Sequence, residues 1–179
     1  MDIILNIDRN IILYINEILP NYPFIQKIFS IITQLGDSGV IWVVLGIFLL
    51  LNKKTKKTGI LMLVTLTLGS FLGTHILKNI FERQRPFIQL NLQPFITAPN
   101  SFSFPSGHSL SSFIGATCIF YANKKWGILA YILATLIAIS RVILIVHYPS
   151  DVIVGSILGI IISLITMFLF KKFEQYCNK

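Results

Sequence analysis

The sequence predicts an all-α protein, a polytopic transmembrane helix bundle of five to six spans preceded by N-terminal interfacial helices. Its 179 residues are 54% hydrophobic and only 12% charged, whereas soluble domains carry about 25% charged residues. Its mean hydropathy is +0.76. Its lysines fall in short clusters between long apolar runs, as they do beside membrane spans. We therefore expect residues 1–179 to form a single membrane domain.

The net charge of +8 is of a kind that also occurs in proteins that bind nucleic acid. The apolar composition and the confinement of the lysines to short clusters argue against that function. We expect the membrane to be the partner of this chain, and no nucleic acid.

Residues 1–35 predict two helices that lie at the membrane interface. The first, over 2–19, is amphipathic and too polar to be a comfortable span. The second runs over 23–35 and stops at a glycine-flanked turn, where Asp37 or Ser38 can cap the next helix. The apolar side of the first helix carries Ile4, Ile7, Ile11, Ile15 and Ile18, and its polar side carries Asp8, Arg9, Asn16 and Glu17.

Residues 36–170 form the core of the predicted bundle. They contain five apolar segments that approach or reach the ~20 residues a span needs. A loop over 81–105 and a bend over 147–149 separate segments on one side of the membrane. The sequence leaves open whether an N-terminal helix also crosses. The five segments are about 38–52, 58–80, 106–122, 126–146 and 150–170.

The lysine clusters give the bundle an orientation in the membrane. Threading the five segments places the clusters at 53–57, 124–125 and 171–172 on one side, which the positive-inside rule makes cytoplasmic. Residues 171–179 are then a cytoplasmic tail. The same threading gathers on the extracytoplasmic side Lys78, Arg83, Arg85, His108, Arg141, His147 and Asp151.

The first polar cluster on that side is Lys78 with Arg85 and Pro86. Basic residues at a helix end often extend only to reach lipid headgroups. This is the alternative role for these residues. It is weakened because these charges lie on the side that the positive-inside rule disfavours. A cost of this kind indicates function.

The second cluster is the tetrad from Pro105 to His108, at the start of a predicted helix. Ser106 is a good N-cap, and Gly107 lets a ligand approach the backbone closely. The free N–H groups of a first helical turn can bind a phosphate, and His108 can donate a proton to a leaving oxygen. The alternative is an ordinary helix cap beside an interfacial histidine.

The third cluster runs from Ser140 and Arg141 to His147 and Asp151. If the bend stays near-helical, His147 and Asp151 share a face at i, i+4. Asp151 can then accept a hydrogen bond from one ring nitrogen and leave the other free to attack. Arg141 offers a planar fork for phosphate oxygens. The alternative is an interfacial ion pair between Arg141 and Asp151, which does not explain two histidines on one side of the membrane.

Together the three clusters resemble the type 2 phosphatidic acid phosphatase (PAP2) family, the histidine-dependent lipid phosphatases related to vanadium haloperoxidases. The family pattern is Lys-x6-Arg-Pro, then Pro-Ser-Gly-His, then Ser-Arg-x5-His-x3-Asp. The chain matches all eleven fixed positions of the pattern in type, order and spacing. The resemblance covers residues 36–170 and implies a PAP2/haloperoxidase-like helical core.

The resemblance also implies a role for each matching residue. His147 is the nucleophile and forms a phosphohistidine, and Asp151 orients it. His108 protonates the leaving lipid oxygen and later activates water. No metal or other cofactor is implied. The phosphate-binding residues are Lys78, Arg85, Ser106, Gly107 and Arg141.

Three residues outside the pattern are possible substrate contacts. His75 lies one turn before Lys78, although packing is the more ordinary role for it. Arg83 can bind a headgroup or pair with Glu82 at the surface. Tyr148 belongs to the bend, which it can simply help to shape.

The implied activity is hydrolysis of the terminal phosphate of a lipid phosphate or pyrophosphate at the outer face of the cell membrane. Bacterial relatives act on phosphatidylglycerophosphate, phosphatidic acid or undecaprenyl pyrophosphate. Some short undecaprenyl-pyrophosphatase relatives have Asp at the position of Gly107, which disfavours a dedicated role on that lipid. Two other functions are a lipid phosphotransferase of the same architecture and a non-enzymatic membrane transporter.

Overall fold

The computed structural model describes residues 2–177, and helices account for most of them. Apolar segments in a bilayer form helices because every backbone polar group must be satisfied within the segment. The predicted all-α fold is confirmed. The helices are α1 Asp2–Ile18, α2 Pro23–Leu35, α3 Val40–Leu50, α4 Lys56–Ser70, α5 Lys78–Phe81, α6 Pro86–Gln89, α7 Gly107–Ala122, α8 Lys124–Ile143 and α9 Pro149–Cys177.

The described chain contains four helical runs that are long and apolar enough to cross a membrane. The predicted count of five to six spans is therefore not confirmed. Helix α7, with 16 residues, is shorter than any of the four. The first run joins α2 to α3, and α2 packs against α8 instead of standing apart from the core. The four runs are Pro23–Leu50, Lys56–Gln89, Lys124–Ile143 and Pro149–Cys177.

The predicted side-chain cap at the start of α3 is wrong. The turn Asp37–Gly39 is a single 3-10 turn, and no side chain caps the helix that follows it. Ser38 and Gly39 both have positive φ, 51° and 66°. The carboxylate of Asp37 instead contacts a histidine of α7 that is described below.

The segment predicted as one span over 58–80 is not a continuous α-helix. Phe71–Leu77 forms a π-helix between α4 and α5. A π-turn holds an extra residue, so it rotates the side chains that follow relative to α-helical spacing, and such turns often occur at functional sites. The rotation sets the direction of Lys78, the first residue of α5.

Helix α7 packs against α4, α8 and α9 and is the centre of the bundle. Glycines of its neighbours allow the backbones to approach: a Cβ on Gly155 would lie 2.6 Å from the carbonyl oxygen of Ser106. Trp42 is buried against α7 and its indole N–H donates to Ser112 Oγ at 3.1 Å. The approach of Gly155 lies at the start of α7, which carries the Ser-Gly-His sequence, and the Trp42 contact lies in the next turn.

Helix α1 does not present the face that its sequence pattern indicates. The side that packs on the protein carries Asp8 and Ile12, which are 2% and 0% exposed. Ile4 and Ile7, on the predicted apolar side, are 59% and 52% exposed. A buried carboxylate needs partners, and Asp8 finds them at the start of α9 and in the loop after α5.

Candidate active site

A cavity of about 1450 Å³ brings residues from all three polar clusters together. Ser106 and Asp151 are fully buried beside it, at the starts of α7 and α9. Most of the residues that threading gathers on one side of the membrane thus meet at one place. The cluster residues that line the cavity are Lys78, Arg85, Pro105, Gly107, His108, Arg141 and His147.

His147 lies in a short non-helical segment between α8 and α9, so the bend does not continue the helix. Ile145 in this segment has φ 60°, a left-handed conformation that is rare for a β-branched residue and stores strain. His147 and Asp151 therefore do not share a helical face, and Asp151 lies near His147 for a different reason. It is the third residue of α9, and its Oδ2 accepts the backbone N–H of Tyr148 at 2.9 Å, as the acidic residue of a capping box does.

Ser103 lies between His147 and Asp151. The His147 Nδ1 is 3.6 Å from Asp151 Oδ2, which is too long for a hydrogen bond. The Ser103 hydroxyl donates to Asp151 Oδ2 at 2.5 Å and is 3.3 Å from His147 Nδ1. The expected direct contact between His147 and Asp151 is therefore replaced by a bridge through a fully buried serine.

The other ring nitrogen of His147 faces a guanidinium. Arg85 NH1 lies 3.2 Å from His147 Nε2 and donates to the Val146 carbonyl at 2.7 Å. Burial is the main cause that lowers the pKa of His147 well below its usual range, and the charge of Arg85 is the next. The ring is therefore neutral at neutral pH, with an available lone pair.

Two of the cations are anchored to the loop that precedes α7. Lys78 Nζ donates to the Phe102 carbonyl at 2.5 Å and to Ser101 Oγ at 3.1 Å. Arg85 Nε donates to the Ser101 carbonyl at 2.6 Å. Both side chains are buried, so their charges act in a medium of low dielectric constant. Ser101 and Ser103 belong to a loop whose motif-free sequence gives no signal for this role.

Arg141 has an unused donor. Its NH1 donates to Thr33 Oγ1 on α2 at 2.5 Å, while its buried Nε has no hydrogen-bond partner among residues 2–177. An unpaired buried N–H is costly and needs an explanation. Arg141 lines the cavity, so an anion bound there would lie beside its guanidinium. The alternative expectation of an ion pair between Arg141 and Asp151 is wrong, since Asp151 pairs with Arg83.

The first turn of α7 has the features of an anion site. Ser106 Oγ accepts the backbone N–H of Ser109 at 3.4 Å and so caps the helix as predicted. The Ser106 backbone N–H donates to the Asp151 carbonyl at 3.1 Å, which ties α7 to α9. A Cβ on Gly107 would meet no described atom within 4 Å. Packing therefore does not require this glycine, and the space over it is open to a ligand.

Asp37 is a site residue that sequence reasoning missed. His108 Nε2 lies 2.9 Å from Asp37 Oδ1, and the two residues are 71 positions apart in the sequence. A Cβ on Gly36 would lie 2.8 Å from the His108 ring. In the sequence, the Gly36-Asp37 pair is the signal for this contact, because a glycine beside a carboxylate lets another side chain come close to it.

The three possible substrate contacts lie in different places. His75 is in the π-helix, lines the cavity and is exposed. Tyr148 is buried, and its hydroxyl donates to Gln89 Oε1 at 2.9 Å. Arg83 stacks over the Tyr148 ring at 4.1 Å. Arg83 does not pair with Glu82, because its guanidinium binds Asp8 and Asp151 instead.

The model of the PAP2 superfamily matches residues 58–175. An undecaprenyl-diphosphatase of Sulfolobus acidocaldarius is 34% identical over 88% of this chain and 80% of its own length. Phosphatidylglycerophosphatase B of Bacillus subtilis is 32% identical over 88% of this chain and 79% of its own length.

Two solved structures share the architecture. One is the crystal structure of a transmembrane PAP2-type phosphatidylglycerolphosphate phosphatase from Bacillus subtilis, with a TM-score of 0.80 and 28% identity over 96% of this chain and 88% of that one. The other is LpxE of Aquifex aeolicus, with a TM-score of 0.77 and 28% identity over 92% of this chain and 94% of that one.

Proposed function

Because the chain belongs to the PAP2 superfamily and is a membrane lipid phosphatase, we propose that it forms a phosphohistidine on His147. Its substrate is a lipid phosphate or pyrophosphate, of the class of phosphatidylglycerophosphate, phosphatidic acid or undecaprenyl pyrophosphate. The relatives named for diphosphatase and monoester phosphatase activity support this range. The enzyme is a phosphoric ester hydrolase.

One observation carries the proposal: the buried imidazole of His147 lines the same cavity as three cationic side chains. A neutral histidine is a nucleophile, and a phosphate that approaches it brings negative charge. Buried cations stabilise that charge as it shifts in the transition state, without the reorganisation that water needs. The unpaired Nε of Arg141 is the donor that such a phosphate would satisfy.

The first chemical step uses both histidines. The Nε2 lone pair of His147 attacks phosphorus as the bond from phosphorus to the lipid oxygen breaks, and His108 gives its proton to that oxygen. Arg85, which lies against Nε2, moves its donors onto the phosphate oxygens. The Nδ1–H of His147 faces the Ser103 hydroxyl and Asp151, which stabilise the ring as it gains positive charge.

The second step reverses the proton transfer. His108, now neutral, accepts a proton from water, and the resulting hydroxide attacks phosphorus and releases His147 with inorganic phosphate. Asp37 Oδ1, at 2.9 Å from His108 Nε2, can accept a hydrogen bond from the protonated ring. Lys78, Arg85 and Arg141 supply the positive charge, and no metal ion is needed for either step.

The cavity faces the extracytoplasmic side in this proposal. The site lies at the starts of α7 and α9, whereas the lysine clusters lie at the other ends of the bundle. Lys57 at the start of α4 pairs with Glu174 near the end of α9 at 2.6 Å, which marks that opposite end. The positive-inside rule supports a cytoplasmic location for the lysines.

Phosphate release by purified protein tests the function. The panel is phosphatidic acid, phosphatidylglycerophosphate and undecaprenyl pyrophosphate, with EDTA present and expected to leave the rates unchanged. We expect folded His147→Ala and His108→Ala to lose activity, and an acid-labile phosphoenzyme to form in the wild type but not in His147→Ala. Full activity in folded His147→Ala would rule out the proposal. Adding alcohol acceptors separates a hydrolase from a phosphotransferase, which would form a phosphorylated alcohol.

A further inference from the structure

Asp8 is a buried carboxylate on a helix that the PAP2 match, over residues 58–175, does not include. Its Oδ1 accepts the backbone N–H of Ser150 at 3.0 Å, and its Oδ2 accepts the Ser150 hydroxyl. Ser150 is the second residue of α9. Asp8 therefore supplies negative charge and an acceptor to the start of α9, where the helix has unsatisfied N–H groups.

Arg83 connects Asp8 to the proposed active site. Its NH2 donates to Asp8 Oδ2 at 2.7 Å, and its NH1 donates to Asp151 Oδ1 at 2.5 Å. The other oxygen of Asp151 contacts Ser103, which faces His147. A continuous series of polar contacts thus runs from α1 to the proposed nucleophile, and the contacts from Asp8 as far as Ser103 are charge-assisted. Such contacts are shorter and stronger than neutral hydrogen bonds.

Helix α1 also packs on the segment that carries His147. Ile12, one turn after Asp8, forms a buried cluster with Ile145 and Tyr148, the residues on either side of Val146 and His147. Ile145 holds its left-handed backbone conformation in this cluster. A strained conformation persists only where the surrounding structure over-determines it. The same face of α1 therefore supports both the backbone and the charges at the site.

We propose that Asp8, acting through Arg83, is a positioning residue for catalysis: it fixes the Asp151 carboxylate and thereby the ring of His147. Helix α1 is then a functional element of the enzyme as well as a packing element. The inference rests on the proposed nucleophilic role of His147. Neither Asp8 nor Arg83 lines the cavity, so neither contacts the substrate in this arrangement.

The charges make a prediction that packing alone does not. Neutralising Asp8 leaves the positive charge of Arg83 uncompensated beside Asp151, which disfavours a positive imidazole. Neutralising Arg83 removes that positive charge. Five charged or titratable groups that face His147 are unchanged in both variants. The two substitutions should therefore shift the pKa of His147 in opposite directions. These groups are Lys78, Arg85, His108, Arg141 and Asp151.

The experiment compares Asp8→Asn, Arg83→Gln and the double variant in the full-length protein. We expect each single variant to lower kcat about tenfold with KM near the wild-type value, and the double variant to lose no more than the worse single, because coupled residues are not additive. The acid limb of kcat/KM should move to lower pH in Asp8→Asn and to higher pH in Arg83→Gln. Glu17→Gln removes an exposed carboxylate of the same helix and should behave as wild type.

Thermal unfolding in detergent shows whether each variant is folded. If Asp8→Asn does not fold, Arg83→Lys replaces it, because lysine keeps the charge but cannot bridge both carboxylates as a fork; we expect the same loss of kcat. Folded variants with wild-type kcat and an unmoved acid limb would overturn the inference while His147→Ala stays inactive. Activity in His147→Ala would instead remove the proposed function on which it rests.

Discussion

The His108 imidazole and the Asp37 carboxylate lie 2.9 Å apart, Nε2 to Oδ1, and join the turn before α3 to the first turn of α7. The carboxylate is mostly exposed, with 61% of its side chain accessible. Because solvent screens this carboxylate, the pair contributes at most about 1 kcal/mol. Its role is therefore to adjust His108 and not to hold the fold together.

Asp37→Asn tests this pair. Without the negative charge the protonated ring is less favoured, so the alkaline limb of the kcat profile should move to lower pH. The rate at neutral pH should fall about two- to fivefold, in line with an exposed pair. Phosphate release measured across pH gives both values. An unchanged alkaline limb in Asp37→Asn would show that Asp37 does not act on His108.

Ser103→Ala removes the bridge between His147 and Asp151. A buried hydrogen bond to a charged group contributes about 1.5–3 kcal/mol, so kcat should fall about ten- to a hundredfold while KM changes little. Ser101→Ala is the matched control in the same loop, because Ser101 contacts Lys78 and Arg85. We expect that variant to raise KM instead. Steady-state kinetics give kcat and KM for both variants. A rise in KM alone for Ser103→Ala would contradict the proposed bridge.

The pH profile follows from the environment of His147. Burial, then Arg85, lowers the pKa of His147, so the attacking neutral form persists below the ordinary histidine value of about 6.5. The acid limb of kcat/KM in the free enzyme should therefore lie below that pH. Lys78→Gln removes a cation that faces the ring and should move the limb upward. An acid limb at or above about 6.5 in the wild type would contradict the assignment.

Arg141→Lys tests the unpaired Nε as a phosphate donor. Lysine keeps the charge but loses the planar fork, so we expect weaker binding of a phosphate analogue such as orthovanadate. The expected loss is about tenfold, as for one charge-assisted hydrogen bond. Thr33→Val is the control, because Thr33 contacts NH1 and not Nε. Equal inhibition of the wild type and Arg141→Lys by vanadate would show that Nε does not reach the anion.

Two glycines at the start of α7 and beside it should respond differently to alanine. A Cβ on Gly155 would lie 2.6 Å from the Ser106 carbonyl, whereas one on Gly107 meets nothing described within 4 Å. Gly155→Ala should therefore destabilise the protein by about 1–3 kcal/mol, seen as a lower Tm in detergent. Gly107→Ala should keep the wild-type Tm and weaken vanadate inhibition. A lowered Tm in Gly107→Ala would mean that this glycine serves packing.

Short-range patterns in the sequence determined the all-α fold and the three polar clusters. Apolar runs and lysine clusters follow from the bilayer, which forces backbone hydrogen bonds inside each segment and sorts charge across the membrane. The cap at Ser106 was also predictable, because capping depends on residues three positions apart. The π-helix was not, since π-turns are rare and occur as single turns inside α-helices.

Only the tertiary structure decided which side chains support the proposed catalytic residues. Ser103 and Asp151 are 48 positions apart, Arg83 and Asp8 are 75 apart, and His108 and Asp37 are 71 apart. Sequence spacing reports geometry within one helix or turn, whereas these contacts depend on how helices pack. Periodicity placed Asp8 on the solvated side of α1 for the same reason. Its carboxylate is buried because the start of α9 and Arg83 supply the partners that a single helix cannot.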